Sequence, residues 1–381
     1  MYDFSELSKM LAGQDVCGIP GLECAVSVGG QMVYDECFGY SDVDKTKKCT
    51  SNDIYWIYSA SKVITCACAM RLVEDGVISL DDPVSKYLPA YEHLFVKRPD
   101  GSVRRAENVL RIIHLFTMTS GLDYACLHSP LIKELVASGH GSTVEVCSAF
   151  ANLPLHFEPG TRYLYSVSHD VLAAVIEIAS GVRFGEYVRR VLLDPLGIKD
   201  LGIFPSEEQL GRIGAMFKYG NGTGKVVPMT SENSFAISPE YESGGACFFS
   251  TVSEYMKILI TLSLGGTSPE GYRFLKPETV KAMTENHLCD AAIDDFCANK
   301  FFGYGWGLCG RVHIDPVRSC SLSPAGEFGW NGAAGAFAMV DSINQVAIFY
   351  LMHVRGCQYA YRSLHPRIVN AVYEAIGNAT K

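Results

Sequence analysis

Strand-type alternation marks both ends of this chain and helical periodicity marks its middle. That distribution constrains the fold more than any other feature of the sequence. Residues 23–28 alternate, with Cys24, Val26 and Val28 on one face; Gly29-Gly30 turns the chain, and residues 31–34 return as the second strand of a hairpin. Strand signals come back from about residue 226, at 247–251, 305–309, 336–340 and 346–352. Helices over 252–264 and 277–285 interrupt them, and a last helix runs over about 366–376. The middle of the chain carries helical patterns at 110–117, 131–138, 144–151, 169–180 and 184–193, the last stopped at Asp194-Pro195, where proline cannot continue a helix. Smaller features are a short helix in the first ten residues, another from Asp81-Asp82-Pro83 toward Tyr87, and a hairpin over 95–105 about Asp100-Gly101. The pattern predicts an α/β (α+β) chain with a discontinuous layout. Residues 1–75 and 225–381 build an antiparallel sheet flanked by helices, residues 76–224 form a mainly helical domain, and the active site lies in the cleft between them.

The segment Ile57-Tyr58-Ser59-Ala60-Ser61-Lys62-Val63-Ile64 reads as the end of a strand or loop running into a buried helix that stops at Glu74-Asp75-Gly76, with Gly76 suited to the left-handed position after the last turn. Ser59 stands at the start of that helix. Lys62 is three residues on and therefore on the same face. A serine hydroxyl is a poor nucleophile until a base takes its proton. A partly desolvated lysine beside it can lower its own pKa and that of the hydroxyl, and a helix N-terminus adds positive potential where an alkoxide would form. Alone, Ser-x-x-Lys is weak, because about one match arises by chance in a chain of this size, and a capped helix with a surface lysine looks the same.

Composition narrows the classes. With 381 residues, 48% hydrophobic and 19% charged, the chain can bury a large core. A net charge of −9 without a run of Lys or Arg argues against a nucleic-acid partner. The 14 cysteines include no C-x-x-C pair and no Cys/His cluster at zinc spacing, so no metal site is expected. Cys24, Cys66, Cys68, Cys147 and Cys309 lie in apolar stretches that suit buried free thiols, and residues 1–14 are polar and mixed in charge, unlike a secretory signal. The expectation is a reducing, cytoplasmic compartment. No apolar run is long enough to cross a membrane: 333–354 is broken by Asp341, Asn344 and Gln345 and reads as two strands joined by a turn.

Two further segments follow Ser59-x-x-Lys62: Pro159-Gly160-Thr161-Arg162-Tyr163-Leu164-Tyr165-Ser166-Val167 and Phe328-Gly329-Trp330-Asn331-Gly332-Ala333-Ala334-Gly335. In that order the chain resembles the class C β-lactamase-like serine hydrolases. That family includes class C β-lactamases, D-alanyl-D-alanine peptidases and the family VIII carboxylesterases, to which the motifs are closest. Ile19-Pro20-Gly21, Leu72-Val73-Glu74-Asp75-Gly76, Thr117-Met118-Thr119-Ser120-Gly121-Leu122, Asp194-Pro195-Leu196-Gly197 and Gly244-Gly245-Ala246 extend the likeness over nearly the whole length.

The resemblance implies the β-lactamase/D-Ala-D-Ala peptidase-like fold and a set of roles. Ser59 would be the acylated nucleophile, Lys62 would help to deprotonate it, and Tyr165 would act as general base and later as acid. Tyrosine titrates near 10 when unperturbed, so this role needs Lys62 to stabilise the phenolate, and which of the pair takes the first proton stays open. The backbone N–H groups of Ser59 and Ala333 would form the oxyanion hole, with Gly332 among the small residues that let a substrate approach the strand. Two positions depart from the β-lactamase pattern. Val167 stands where an Asn holds an amide side chain, and Trp330 stands where a Lys attracts the β-lactam carboxylate, as is common in the esterase-like members. Both changes favour an apolar, uncharged substrate.

Plainer roles weigh against each assignment. Tyr165 could be a buried aromatic, Trp330 could be core packing, and Tyr124 could line the cleft or be an ordinary loop aromatic. His169-Asp170 is rejected as part of a Ser-His-Asp set: it starts a helix, where Asp is favoured, and the chain has no G-x-S-x-G elbow to serve it. His114 reads as a core histidine, and Asp290, Asp294 and Asp295 as a solvated loop. The expected activity is hydrolysis of carboxylic esters with short, uncharged acyl groups through an acyl-Ser59 intermediate. It needs no cofactor and no metal, its partner is a small-molecule ester, and it involves neither nucleic acid nor membrane; the oligomeric state is open. A β-lactamase or D-amino-acid peptidase, an acyltransferase, and a catalytically silent binding protein of this fold are the alternatives; an intact Ser59, Lys62 and Tyr165 set argues against the last.

Overall fold

The computed structural model describes residues 2–220 and 225–379. Its centre is a seven-stranded antiparallel sheet in the order Tyr304–Gly307, Gly310–His313, Phe328–Gly329, Phe337–Asp341, Val346–Met352, Gly21–Val28 and Gln31–Gly39. Strands from the two ends of the chain meet where Gly21–Val28 pairs with Val346–Met352, with Cys24 opposite Tyr350 and Ala25 opposite Phe349. Every residue of Val346–Met352 is buried, as expected of a central strand covered on both faces.

Alternation sorts the side chains. Cys24, Val26, Ile348 and Tyr350 pack against the helices Ser5–Ala12 and His365–Ala379 through Leu7, Leu11, Ile368 and Val372. Ala25, Ala338 and Phe349 face the other way, toward the helix Val252–Ser263, where Tyr255 stacks on Phe349 at 4.1 Å. Burying one such Leu, Ile or Phe side chain stabilises the fold by about 1.5–3 kcal/mol, so these two layers fix the sheet between its helices.

The helix Ser61–Glu74 is buried almost all round, from Ser61 through Met70 and again at Leu72. That explains why Lys62 is a core residue and not a surface one. Gly76 has φ +70° and ends the helix in the left-handed conformation its position predicted.

Several elements differ from the sequence expectations. Residues 76–224 contain the strands Leu201–Gly202 and Met216–Tyr219, the latter pairing with Val226–Met229 and with Val354–Arg355. Asp290, Asp294 and Asp295 lie on or at the start of a helix, Asp290–Ala298, and not on a solvated loop; Ala292 and Phe296, four apart, are its buried face. All 14 cysteines are free thiols, and Cys24, Cys66, Cys68, Cys147 and Cys309 are buried. Among the described residues no helix is long and apolar enough to cross a membrane.

Candidate active site

The short strand Tyr55–Trp56 leads into the site, and the Ile57 N–H donates to the Phe248 carbonyl at 3.1 Å. Tyr58 follows with φ +46°, a backbone region that a bulky side chain occupies only when its surroundings enforce it. Its ring is fully buried, edge-on to Phe235, and its hydroxyl donates to Met216 Sδ at 3.5 Å. This turn swings the chain from strand to helix. Ser59 therefore sits in a single 3-10 turn, Tyr58–Ala60, just ahead of Ser61–Glu74 and not within it.

Lys62 is 0% exposed, and its three ammonium protons find three neutral oxygens. Nζ donates to the Tyr124 hydroxyl at 2.8 Å, to the Gly245 carbonyl at 2.8 Å and to Ser59 Oγ at 3.5 Å. It also lies 4.7 Å from the centroid of the Tyr165 ring and 5.5 Å from that of Tyr124. Tyr124 thus does more than line a cleft. Its hydroxyl holds the lysine and interacts with the hydroxyls of Ser59 and Tyr165; burial, with Tyr165 and Asp170 nearby, pushes its phenol well above the usual value.

The loop carrying Tyr165 is anchored at its start. Arg162 Nε donates to Asp295 Oδ2 at 2.6 Å and the Tyr163 N–H donates to the same oxygen at 3.1 Å. Asp295 therefore ties the helix Asp290–Ala298 to the second motif, which the sequence did not suggest. Tyr165 packs against Trp306 at 6.1 Å and Trp330 at 5.3 Å between ring centroids. The Trp330 indole N–H donates to the Tyr165 hydroxyl at 2.8 Å. Trp330 is 7% exposed and packs in the core against Tyr165, Trp306 and Phe301, with its N–H aimed at the phenol.

Gly332 has a packing reason for being glycine: a Cβ there would lie 2.2 Å from the Ile57 carbonyl oxygen. Its own carbonyl accepts the Tyr361 hydroxyl at 2.8 Å. Ala333, next along, packs beside the cluster that contains Tyr58. Among the described residues neither the Ser59 N–H nor the Ala333 N–H donates to a backbone or side-chain acceptor. Both N–H groups are thus able to donate to a bound molecule. Val167 does not line the cleft. It is 0% exposed, sits in the core and precedes the helix Ser168–Ser180, so its isopropyl group is spent on packing.

His169 is fully buried with Nε2 3.1 Å from the Phe116 carbonyl, and burial together with Lys62 pushes its imidazole down to about 3. It is a neutral core histidine. Asp170, read as a first-turn helix residue, is buried and takes a hydrogen bond from Tyr241 at 2.9 Å and another from Ser243. His114 is half-buried, caps the helix Ile112–Phe116 with Arg111, and is pushed down to about 4 by burial. Among the described residues no group of His, Cys, Asp and Glu could hold a metal.

A groove of about 640 Å³ touches the third motif at Asn331 and is lined also by Phe301, Tyr304, Phe337, Tyr361 and Arg362. Phe301 also packs on Trp330 at 5.6 Å, so the groove and the aromatic wall share a side chain.

Comparison with known proteins gives a consistent picture. The profile of the family described as Beta-lactamase matches residues 8–364. The chain is 26% identical over 382 residues to Esterase EstB of Burkholderia gladioli, covering 93% of this chain and 90% of EstB. It is 32% identical over 196 residues to the ML-236A carboxylate methylbutanoyltransferase mlcH of Penicillium citrinum, 48% of this chain and 47% of that one. Among solved structures, unliganded simvastatin synthase LovD from Aspergillus terreus superposes with a TM-score of 0.79 at 21% identity, covering 98% of each chain, a likeness of fold.

Proposed function

The chain belongs to the beta-lactamase family, and from that premise we propose that it is a serine hydrolase that cleaves carboxylic esters through an acyl intermediate on Ser59. In the first half-reaction Ser59 Oγ bonds to the ester carbonyl carbon while its proton passes to the Lys62–Tyr165 pair. The alkoxide leaves with a proton from that pair. A water then attacks the acyl carbon, gives up a proton by the same route, and the carboxylic acid departs as Ser59 is reprotonated. The N–H groups of Ser59 and Ala333 stabilise the oxyanion in both halves.

The observation that carries this reading is the hydrogen bond from Trp330 to Tyr165 at 2.8 Å. A donor on the phenol oxygen favours its anion, which a base requires. The same side chain presents no cation to a substrate carboxylate. Burying an ionised carboxylate unpaired against an indole costs more than burying an unpaired neutral amide or hydroxyl, several kcal/mol even after relaxation, whereas a short uncharged ester meets no such penalty. The argument favours esters over β-lactams and over peptides that end in a free carboxylate.

Acyl transfer to an acceptor other than water is the second reading. It is supported by the mlcH relative, which is named as a methylbutanoyltransferase.

The test is a panel of nitrophenyl esters of graded chain length beside a chromogenic cephalosporin, with Ser59→Ala as control. Ser59-dependent turnover that is fastest on acetate and butyrate is expected. Efficient cephalosporin hydrolysis with no turnover of those esters would replace the esterase reading with the β-lactamase one.

A further inference from the structure

Asp170 stands in the first turn of the helix Ser168–Ser180, but its side chain is turned into the core and away from solvent. It is 2% exposed, and its carboxylate accepts from the Tyr241 hydroxyl at 2.9 Å, from Ser243 Oγ and from the Gly245 N–H. Tyr241 and Ser243 are themselves buried. Ser243 Oγ also accepts from the N–H groups of Gly245 and Ala246 at 3.2 and 3.1 Å, so one turn wraps the carboxylate. That turn is wedged between two helices. A Cβ on Gly244 would lie 2.5 Å from the His169 carbonyl oxygen and 3.0 Å from Thr65 Cγ2, and the Thr65 hydroxyl donates to the Gly244 carbonyl at 2.6 Å.

The turn ends on the catalytic lysine. The Gly245 carbonyl accepts from Lys62 Nζ at 2.8 Å. A Cβ on Gly245 would sit 2.6 Å from Asp170 Oδ2 and 3.2 Å from Lys62 Nζ, so the carboxylate and the ammonium flank the same small space. Lys62 is fully buried and its direct partners are neutral. The other titratable groups facing it are the phenols of Tyr124 and Tyr165, the neutral imidazole of His169 and the thiol of Cys66. Facing Asp170 besides Lys62 are the phenols of Tyr241 and Tyr124 and the thiols of Cys147 and Cys247. Asp170 is the carboxyl in this set.

We propose that Asp170 is a positioning residue for the acylation machinery: it is the buried counter-charge of Lys62, and through the Ser243–Ala246 turn it holds the Gly245 carbonyl on the ammonium. A buried cation with neutral partners alone is costly. A carboxylate on the far side of one peptide offsets that cost without forming a direct ion pair that would draw the ammonium away from Ser59. Burial holds the Asp170 carboxyl above the ordinary value, and Lys62 with the hydroxyls of Ser243 and Tyr241 offsets only part of that rise. The inference rests on the Ser59 acyl-enzyme reading above.

The experiment compares wild type with Asp170→Asn, which keeps the size and one acceptor oxygen and removes the charge. Two rates are followed against pH: kcat/KM for nitrophenyl acetate, and labelling of Ser59 by a fluorophosphonate, located by mass. Removing a nearby negative charge makes every base in the site easier to deprotonate. The acid limb of both profiles should therefore move to lower pH by about one unit or more, with kcat reduced about tenfold or more and KM little changed. A folded Asp170→Asn whose profiles overlay those of wild type, at whatever rate, overturns the proposal and leaves Asp170 a packing residue. If Asp170→Asn fails to fold, Tyr241→Phe and Ser243→Ala each remove a donor that stabilises the carboxylate, so Asp170 takes up its proton at higher pH, the counter-charge is lost over more of the acid range, and the limb should move the same way by less; unmoved profiles in both overturn it equally. Absence of Ser59 labelling and turnover in wild type would instead bring down the serine reading itself, a result distinct from an unmoved profile in a variant.

Discussion

The Trp330 indole N–H donates to the Tyr165 hydroxyl at 2.8 Å, so the third motif acts on the second through one neutral hydrogen bond. A bond of this kind to a group that becomes charged is worth about 1.5–3 kcal/mol. Trp330→Phe keeps the aromatic wall and removes the donor. We expect kcat on nitrophenyl acetate to fall about tenfold to a hundredfold with KM nearly unchanged. Steady-state kinetics would expose a mere wall as a change in KM with kcat intact.

Two phenols converge on one ammonium, because Lys62 donates to Tyr124 and lies against the face of Tyr165. Residues that share a proton path do not add. Lys62→Ala and Tyr165→Phe should each lower turnover by several orders of magnitude, on the order of a thousandfold or more, and the double variant should be little worse than either. Tyr124→Phe should cost less than Tyr165→Phe, since it loosens the lysine and leaves the Tyr165–Trp330 bond in place. Near-normal activity in a folded Tyr165→Phe would remove that tyrosine from the mechanism.

Glu23 is fully buried on a central strand, and burial with Asp35 and Asp53 nearby pushes its carboxyl from 4.5 up to about 9. The folded protein keeps this proton over a range in which the unfolded chain has released it. The stability that the neutral carboxyl allows is therefore complete below about 4.5 and is lost as pH rises toward about 9, with a slope of up to about 1.4 kcal/mol per pH unit. Glu23→Gln should flatten that slope, melting above wild type at pH 8 and close to it at pH 5. Thermal unfolding from pH 5 to 9 reads the difference, and parallel curves for the two proteins would show that Glu23 does not titrate in this way.

Cys289 and Cys320 are exposed and the other thiols are buried or half-buried. In the native protein a thiol reagent should modify those two rapidly and most of the rest slowly. After denaturation without reductant all 14 should react; a substantial shortfall would reveal disulfides and would count against a reducing compartment.

What could be read from the sequence was periodic or local. The hairpin at Gly29-Gly30 and the buried helix ending at Gly76 are set by neighbours in the chain, and the structure has them where the pattern put them, with Ser59 one turn ahead of that helix. Contacts distant in sequence could not be read in the same way. Lys62 meets Gly245, 183 residues away, and nothing around Gly245 marks it as a partner. Tyr124 looked like any loop aromatic because its hydroxyl finds Lys62 only after folding. Asp170 does stand in the first turn of its helix, but its burial could not be read, since a buried aspartate and an exposed one in a first turn have the same sequence signature. The helix Asp290–Ala298 was hidden by its three aspartates, poor helix formers whose surroundings outweigh propensity here. Val167 was judged by what relatives hold at that position, whereas its own place in the core decides what it does.

The contact between Gly332 and the Ile57 carbonyl, where a Cβ would lie 2.2 Å from the oxygen, bears on how such an enzyme can diversify. The strand that brings Ala333 and the segment that brings Ser59 touch backbone to backbone, with no side chain between them. On the oxyanion role proposed for Ser59 and Ala333, the spacing of these two segments is set by peptide geometry and leaves no room for a side chain at Gly332. Tyr124 and Trp330, which pack on Tyr165, and Phe301, which packs on Trp330, present side chains that can be exchanged. Selection for a new acyl group or acceptor has those walls to work on, while the reacting centre is inherited unchanged.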